Sequence, residues 1–166
     1  MIYQEKRCSH YYQPVRLDEL FVVHCSALNN DRDKAGKSQP KPDFGLYADY
    51  KWAPTWRNEF INWPDFSVPA DPFTACAQIS DAYALAKMAS VEIGCIGGHG
   101  RTGTMLACMF VHHLKVPAQE AIAIVRDVYC PSAVETADQA KFVSFYEMMV
   151  VKNGESWNPE QLFMER

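Results

Sequence analysis

A chain of 166 residues with 48% hydrophobic content can bury one good core and is short for two ordinary domains. Its net charge of −4 argues against a general nucleic-acid binder, whose surface must be distinctly basic. No apolar run approaches the ~20 residues of a membrane span, and the opening Met1-Ile2-Tyr3-Gln4-Glu5-Lys6-Arg7 lacks the basic-then-apolar pattern of a secretion signal.

In chain order, residues 20–25 predict a strand. Residues 32–42, with Lys34, Lys37, Lys41 and two prolines, read as an exposed basic loop, and short extended pieces follow at 44–50 and 59–63. From Thr74 the pattern turns helical up to about Ser90, with Ala77, Ala84, Leu85 and Met88 on the apolar face. Residues 91–95 predict a central strand. The stretch from Thr102 to Leu114 is apolar nearly all round (Met105, Leu106, Met109, Phe110, Val111), as a buried central helix should be. Pro117 is placed to start another helix carrying Ile122, Ile124 and Val125. A last one begins near Thr136 and packs Phe142, Phe145 and Met149, and residues 153–166 read as a tail or a packed extension. Strands early, helices late and a strand–loop–helix at the centre predict an α/β sandwich. Residues 1–166 contain no repeat, low-complexity tract or linker, so one domain is expected, with its catalytic core at about 44–152.

The chemistry concentrates in Cys95-Ile96-Gly97-Gly98-His99-Gly100-Arg101, followed by Thr102-Gly103-Thr104. A cysteine and an arginine with five residues between them, three of them glycine, can close a tight loop whose backbone N–H groups turn inward on a phosphate. Ile96, Gly97, Gly98, His99, Gly100 and Arg101 are therefore the candidate phosphate-binding residues. Arg101 adds a planar fork that matches two phosphate oxygens at once. The loop leads from a strand into a helix, and a helix N-terminus favours an anion. The same field lowers the pKa of a thiol, so one loop can hold the phosphate and ionise the nucleophile that attacks it.

Upstream lies Trp63-Pro64-Asp65-Phe66. Cleaving a phosphate ester requires a proton for the leaving oxygen, and a carboxylic acid on a mobile loop can supply it. Trp63 and Pro64 would give that loop a hydrophobic latch and a stiff hinge.

Together the two motifs resemble the cysteine-dependent phosphatases of the tyrosine and dual-specificity type, specifically over about residues 60–146. The resemblance implies a small phosphotyrosine-phosphatase-like α/β sandwich, with a central, mostly parallel sheet flanked by helices. It implies hydrolysis of phosphate monoesters, on protein phosphotyrosine or with dual specificity, and no cofactor or metal. Cys95 would become a phosphocysteine, Arg101 would bind the phosphoryl oxygens, and Asp65 would be first acid and then base. Thr102 would steady the departing cysteine sulfur. Gln139 matches a glutamine that positions the attacking water, but Thr136-x-x-Gln139 is equally a helix capping box. The family's usual histidine before the cysteine is replaced by Gly94. His99 could add a cation beside the phosphate near or below pH ~6.5; the preferred reading has it touching substrate but otherwise pointing outward as a solvated loop residue.

The expected partner is a phosphorylated substrate, a protein by preference, with no nucleic acid and no membrane, and the chain is expected to act as a monomer. A thiolate enzyme needs a reducing compartment, so the cytoplasm is expected. Two other readings stay open: a catalytically weak or inactive phosphate-binding module, and a phosphatase of this fold acting on a phosphoinositide, an RNA 5′-phosphate or a nucleotide-derived phosphate. Phosphoinositide enzymes tend to place lysines inside the loop, where this chain has only His99.

Three further patterns carry less. His24-Cys25 imitates the family's His-Cys pair, but the next arginine, Arg32, stands outside the required spacing and no glycine intervenes. Gly36-Lys37-Ser38 ends like a nucleotide-binding loop whose first glycine would fall on Asp31. Cys8, His10, His24 and Cys25 lack the regular spacing of a zinc site. Cys76, Cys108 and Cys130 read as core residues, any of which could trap an oxidised Cys95 if near enough.

Overall fold

The computed structural model describes residues 10–28, 39–49 and 52–153. Its five strands are β1 (Gln13–Arg16), β2 (Val22–Ala27), β3 (Phe44–Tyr47), β4 (Asn58–Phe60) and β5 (Val91–Cys95). They form one sheet in the order β1-β2-β5-β3-β4, parallel throughout except for the antiparallel β1–β2 pair. Among the described residues, four α-helices follow β4: α1 (Pro72–Leu85), α2 (Gly100–Leu114), α3 (Ala118–Val128) and α4 (Ala137–Tyr146), the last running into a π-helical turn at Glu147–Lys152. The α/β class and the mostly parallel central sheet are as the sequence predicts.

β5 is central because every one of its residues is buried, the pattern of a strand covered on both faces. Its neighbours are pinned to it by a buried carboxylate. Glu92 is fully buried and accepts hydrogen bonds from Ser26 Oγ on β2 and Tyr47 Oη on β3, each at 2.5 Å. Trp56 Nε1 donates in turn to the Tyr47 hydroxyl at 2.8 Å. The Tyr47 ring lies where a Cβ on residue 45 would sit, 2.2 Å from its hydroxyl oxygen, so Gly45 is required there.

Several boundaries shift from expectation. β1 has no sequence signal: it is short, contains Pro14 and buries only Val15, which an edge strand tolerates. The early strand runs Val22–Ala27 instead of 20–25, and Leu20 is 97% exposed. Of the residues 32–42 expected as a basic loop, those up to 38 lie outside the described residues, as do Tyr50 and residues 154–166. α1 starts at a Pro at its first turn behind Asp71, whose carboxylate accepts from Thr74 N at 3.1 Å. Its inward face is Ala75, Cys76, Ala77, Ile79, Ala82 and Tyr83, so Ala77 is buried as expected and Leu85 partly so, while Ala84 and Met88 are not; the helix stops at Leu85, and Met88 is 83% exposed.

α2 is the buried central helix, with every residue from Gly100 to Val111 buried. It ends at Lys115, which takes a left-handed conformation (φ 56°), and carries His112 and His113 in its last turn. The His112 ring stacks on Tyr83, with centroids 4.2 Å apart, and its Nδ1 lies 3.0 Å from Tyr146 Oη. Burial pushes its pKa down to about 4, helped by the nearby positive charges of Lys115, Lys87 and His113. The unfolded chain, with an ordinary histidine, binds this proton first as pH falls, so stability is lost from about pH 6.5 down toward the folded value. Thermal melts should show the midpoint falling over that interval, and His112→Gln should flatten the slope. An equally steep slope in the variant would assign the acid lability to other groups.

Candidate active site

The loop between β5 and α2 is fixed at its root by the two neighbouring strands. The amide of Ala48 donates to Gly94 O at 2.9 Å and that of Leu28 to Cys95 O at 2.8 Å. These bonds leave the chain to turn over residues 96–99. Gly98 has a φ of +72°, and a Cβ there would also come within 3.0 Å of Ala27 N, so the turn needs glycine on two counts. Its carbonyl accepts from Tyr129 Oη. Behind the loop, a Cβ at Gly103 would lie 2.5 Å from that of Ala133, and Gly103 thereby lets the 130–134 segment close against α2. Val134 in that segment has a φ of +58°, and its carbonyl accepts from Arg126 Nη2 at 2.8 Å.

Cys95 is 2% exposed, and its Sγ accepts a hydrogen bond from Thr102 Oγ1 at 3.0 Å. His99 occupies the cap position of α2 without a capping side-chain bond, which leaves the first backbone N–H groups of the helix without a side-chain cap. Ile96 and Gly97 are exposed, Gly98 and Gly100 buried.

Arg101 joins this loop to the one that bears Trp63 and Asp65. Its guanidinium, 5% exposed, donates from Nη1 to Ala48 O at 2.7 Å and to Trp63 O at 3.0 Å. Nη2 lies 3.4 Å from Asp65 Oδ1, and Nε is buried with no partner among the described residues. A guanidinium anchored along one edge, with an unpaired N–H on the other, is oriented for an oxyanion. Trp63 is 2% exposed, donates from Nε1 to Ser67 O at 2.7 Å and meets Phe142 edge-on at 5.4 Å. Asp65 is half-exposed at the tip, beside Phe66 in a left-handed conformation (φ 56°).

Gln139 makes the capping box. Its Oε1 accepts from Glu135 N at 2.8 Å and Thr136 N at 3.3 Å, while its own amide donates to Thr136 Oγ1. The side chain is fully buried, and Nε2 retains a donor with no partner among the described residues. The sequence gives Glu135 no role, yet its carboxylate accepts from the Gly100 backbone and feels both Asp65 and Arg101. Burial and then the Asp65 charge raise its pKa, against the pull of Arg101 and the Gly100 amide. Its only signal in sequence is adjacency to the capping box.

The outward-pointing reading of His99 is corrected. Its ring is half-buried, with Nδ1 3.2 Å from Cys130 Sγ and the His10 ring 5.0 Å away edge-on. Folding brings the end of α3 and the N-terminal segment against the loop, and burial lowers the pKa of His99. Cys25 is fully buried on β2; burial, then the charges of Glu92 and Cys95, push its thiol pKa far up, the opposite of a nucleophile's environment. His24 stacks on Tyr12 at 4.0 Å. Cys76, Cys108 and Cys130 are buried, as expected.

No family model matches the chain. Two uncharacterised proteins of Methanocaldococcus jannaschii are 46% identical over 68 residues (40% of each chain) and 47% identical over 57 residues (34% of this chain, 36% of that one). The chain thus spans about two fifths of the length of the curated relatives it matches. Among solved structures, kinase associated phosphatase superposes over 88% of this chain and 99% of its own, with TM-score 0.68 and 16% identity. PTPMT1 in complex with PI(5)P covers 84% and 97%, with TM-score 0.60 and 12% identity, and Tk-PTP in its active form 82% and 97%, with 0.58 and 19%. The chain has the fold of the tyrosine and dual-specificity phosphatases.

Gly94, where that family usually has histidine, has a packing reason. A Cβ there would come within 2.9 Å of Leu28 Cδ2 and 3.0 Å of Ser26 O. Gly94→His should therefore destabilise by about 1–3 kcal/mol through overpacking, and combining it with Leu28→Ala should cost less than the sum of the separate changes. Denaturant titration of the four proteins measures that coupling; strict additivity would show that Leu28 does not exclude the side chain.

Proposed function

We propose that the protein is a cysteine-dependent phosphatase that hydrolyses phosphate monoesters, with phosphotyrosine or dual-specificity phosphoprotein as substrate. The observation that carries this is the docking of Arg101 on Ala48 O and Trp63 O, with Asp65 3.4 Å from Nη2 and Nε unpaired, in the loop whose cysteine accepts from Thr102. Nucleophile, oxyanion fork and acid are thus held by one set of contacts.

The Cys95 thiolate attacks phosphorus while the ester oxygen departs with the proton of Asp65. The loop amides and the free edge of Arg101 take the equatorial oxygens, where charge persists throughout the transfer. Water then attacks the phosphocysteine, Asp65 accepts its proton, and the Thr102 hydroxyl stabilises the sulfur that leaves as thiolate. Gln139 serves both readings of its sequence: Oε1 caps α4, and Nε2 is the donor for the attacking water. The reaction needs a reduced thiol and hence a reducing compartment.

Hydrolysis of an aryl phosphate under reducing conditions tests this. Cys95→Ser should abolish turnover while still binding vanadate. Asp65→Asn should lower kcat by about 10²–10⁴-fold on alkyl phosphates, with a smaller loss on nitrophenyl phosphate, whose leaving group needs little protonation. Turnover by Cys95→Ser at the wild-type rate would refute the mechanism.

Two exposed hydrophobic side chains adjoin the reacting residues in sequence: Phe66 after the acid, 64% exposed, and Ile96 after the nucleophile, 45% exposed. They favour an aryl leaving group, and a loop without lysine disfavours a polyanionic phosphoinositide. Phe66→Ala should raise KM for a phosphotyrosine peptide several-fold and leave KM for a phosphoserine peptide unchanged; equal effects on both would remove Phe66 from substrate selection.

A further inference from the structure

We propose that His10, His99 and Cys130 form a binding site for a zinc-class divalent cation that clamps the phosphate loop to the N-terminal segment and to the end of α3. One ligand atom from each of the three residues lies within 4.8 Å of the others. The donor set, two imidazoles and one thiolate, is the borderline-soft set that zinc takes in preference to magnesium or calcium. In a tetrahedral site, bond lengths of about 2.0–2.3 Å place neighbouring donors roughly 3.3–3.6 Å apart. His99 Nδ1 and Cys130 Sγ, at 3.2 Å, already approach that spacing.

The second observation concerns His10. It is 3% exposed, and its Nδ1 lies 2.6 Å from Gln13 Oε1, which fixes Nδ1 as the protonated nitrogen. Nε2 is then left with a lone pair, and it finds no hydrogen-bond partner among the described residues. A buried acceptor without a partner is costly, and an imidazole whose far nitrogen donates to a carbonyl is how proteins orient a metal-binding histidine. Burial lowers the pKa of both histidines, toward the neutral, lone-pair form.

The three residues come from different elements. His10 precedes β1 and its carbonyl accepts from Ala27 N at 2.7 Å; His99 opens α2; Cys130 follows α3 beside Tyr129, whose hydroxyl donates to Gly98 O. An ion here would bridge them without touching Cys95 or Arg101. On binding, the Cys130 thiol loses its proton to solvent and sulfur and both nitrogens donate lone pairs, leaving a fourth position for water. The inference does not rest on the phosphatase reading and survives its failure.

The test uses the full chain with Cys8 and Cys95 changed to serine, which leaves Cys25, Cys76, Cys108 and Cys130 as its thiols. After chelator treatment, Co²⁺ should bind at one ion per chain, with a thiolate charge-transfer band and tetrahedral visible bands, and Zn²⁺ should displace it. One equivalent of Zn²⁺ should raise the melting temperature. Adding Cys130→Ser should remove the charge-transfer band, His10→Gln should weaken binding more than tenfold, and Gln13→Ala about tenfold. Should Cys130→Ser not fold, the other two variants carry the test. Absence of saturable binding, a charge-transfer band of full strength without Cys130, or unchanged affinity in both His10→Gln and Gln13→Ala would overturn the proposal.

Discussion

The Arg101 guanidinium, held by the carbonyls of Ala48 and Trp63, is the contact on which the geometry of the site depends. Ala48 follows β3, Trp63 belongs to the loop that bears Asp65, and Arg101 stands in the first turn of α2. A single side chain thus fixes the end of the inner strand β3, the loop bearing Asp65 and the helix start relative to one another. It is 95% buried, where water competes little with its hydrogen bonds. A lysine could not do the same, since it lacks a second edge to leave for an oxyanion.

The sheet supplies the rigidity that this contact presupposes. Glu92 receives hydrogen bonds from β2 and β3, and the amides of Leu28 and Ala48 hold the last two carbonyls of β5. The strand that presents Cys95 is therefore tied on both sides up to its final residue. Beyond it the backbone must turn within a few residues, and Gly98 makes that turn possible at positive φ. On the helix side, Gly103 admits Ala133 and draws the 130–134 segment onto α2. That approach brings Glu135 to the Gly100 amide and Cys130 to His99.

The loop is consequently served by two sets of groups. Cys95, Thr102, Arg101 and Asp65, linked as Thr102–Cys95 and Arg101–Asp65 pairs, are the proposed reacting set. In the other set, Tyr129, Cys130 and His10 hold Gly98 and His99. The second set contacts the loop backbone and the His99 ring, so a clamp there would bear on the order of the loop.

Much of this was legible in the chain. Cysteine, glycines and arginine at fixed spacing between an apolar strand and an apolar helix predict the cradle, and Val91–Cys95 needs no correction, because local periodicity and glycine conformation act within a few residues. Thr136 and Gln139 are likewise a local motif and form as written. The rest depended on contacts between residues far apart in sequence. β1 is an edge strand that exists only because β2 offers it a partner. The inward face of α1 is set by where the helix rests, and the small residues of 74–90 leave periodicity undecided. His99 turns inward because His10 and Cys130, from opposite ends of the chain, pack against it. The sequence by itself determined which residues are proposed to carry the chemistry and where glycine lets the backbone turn beside them. Only the tertiary structure decided which carbonyls orient Arg101 and what holds His99, since burial and hydrogen-bond pairing are properties of the assembled core.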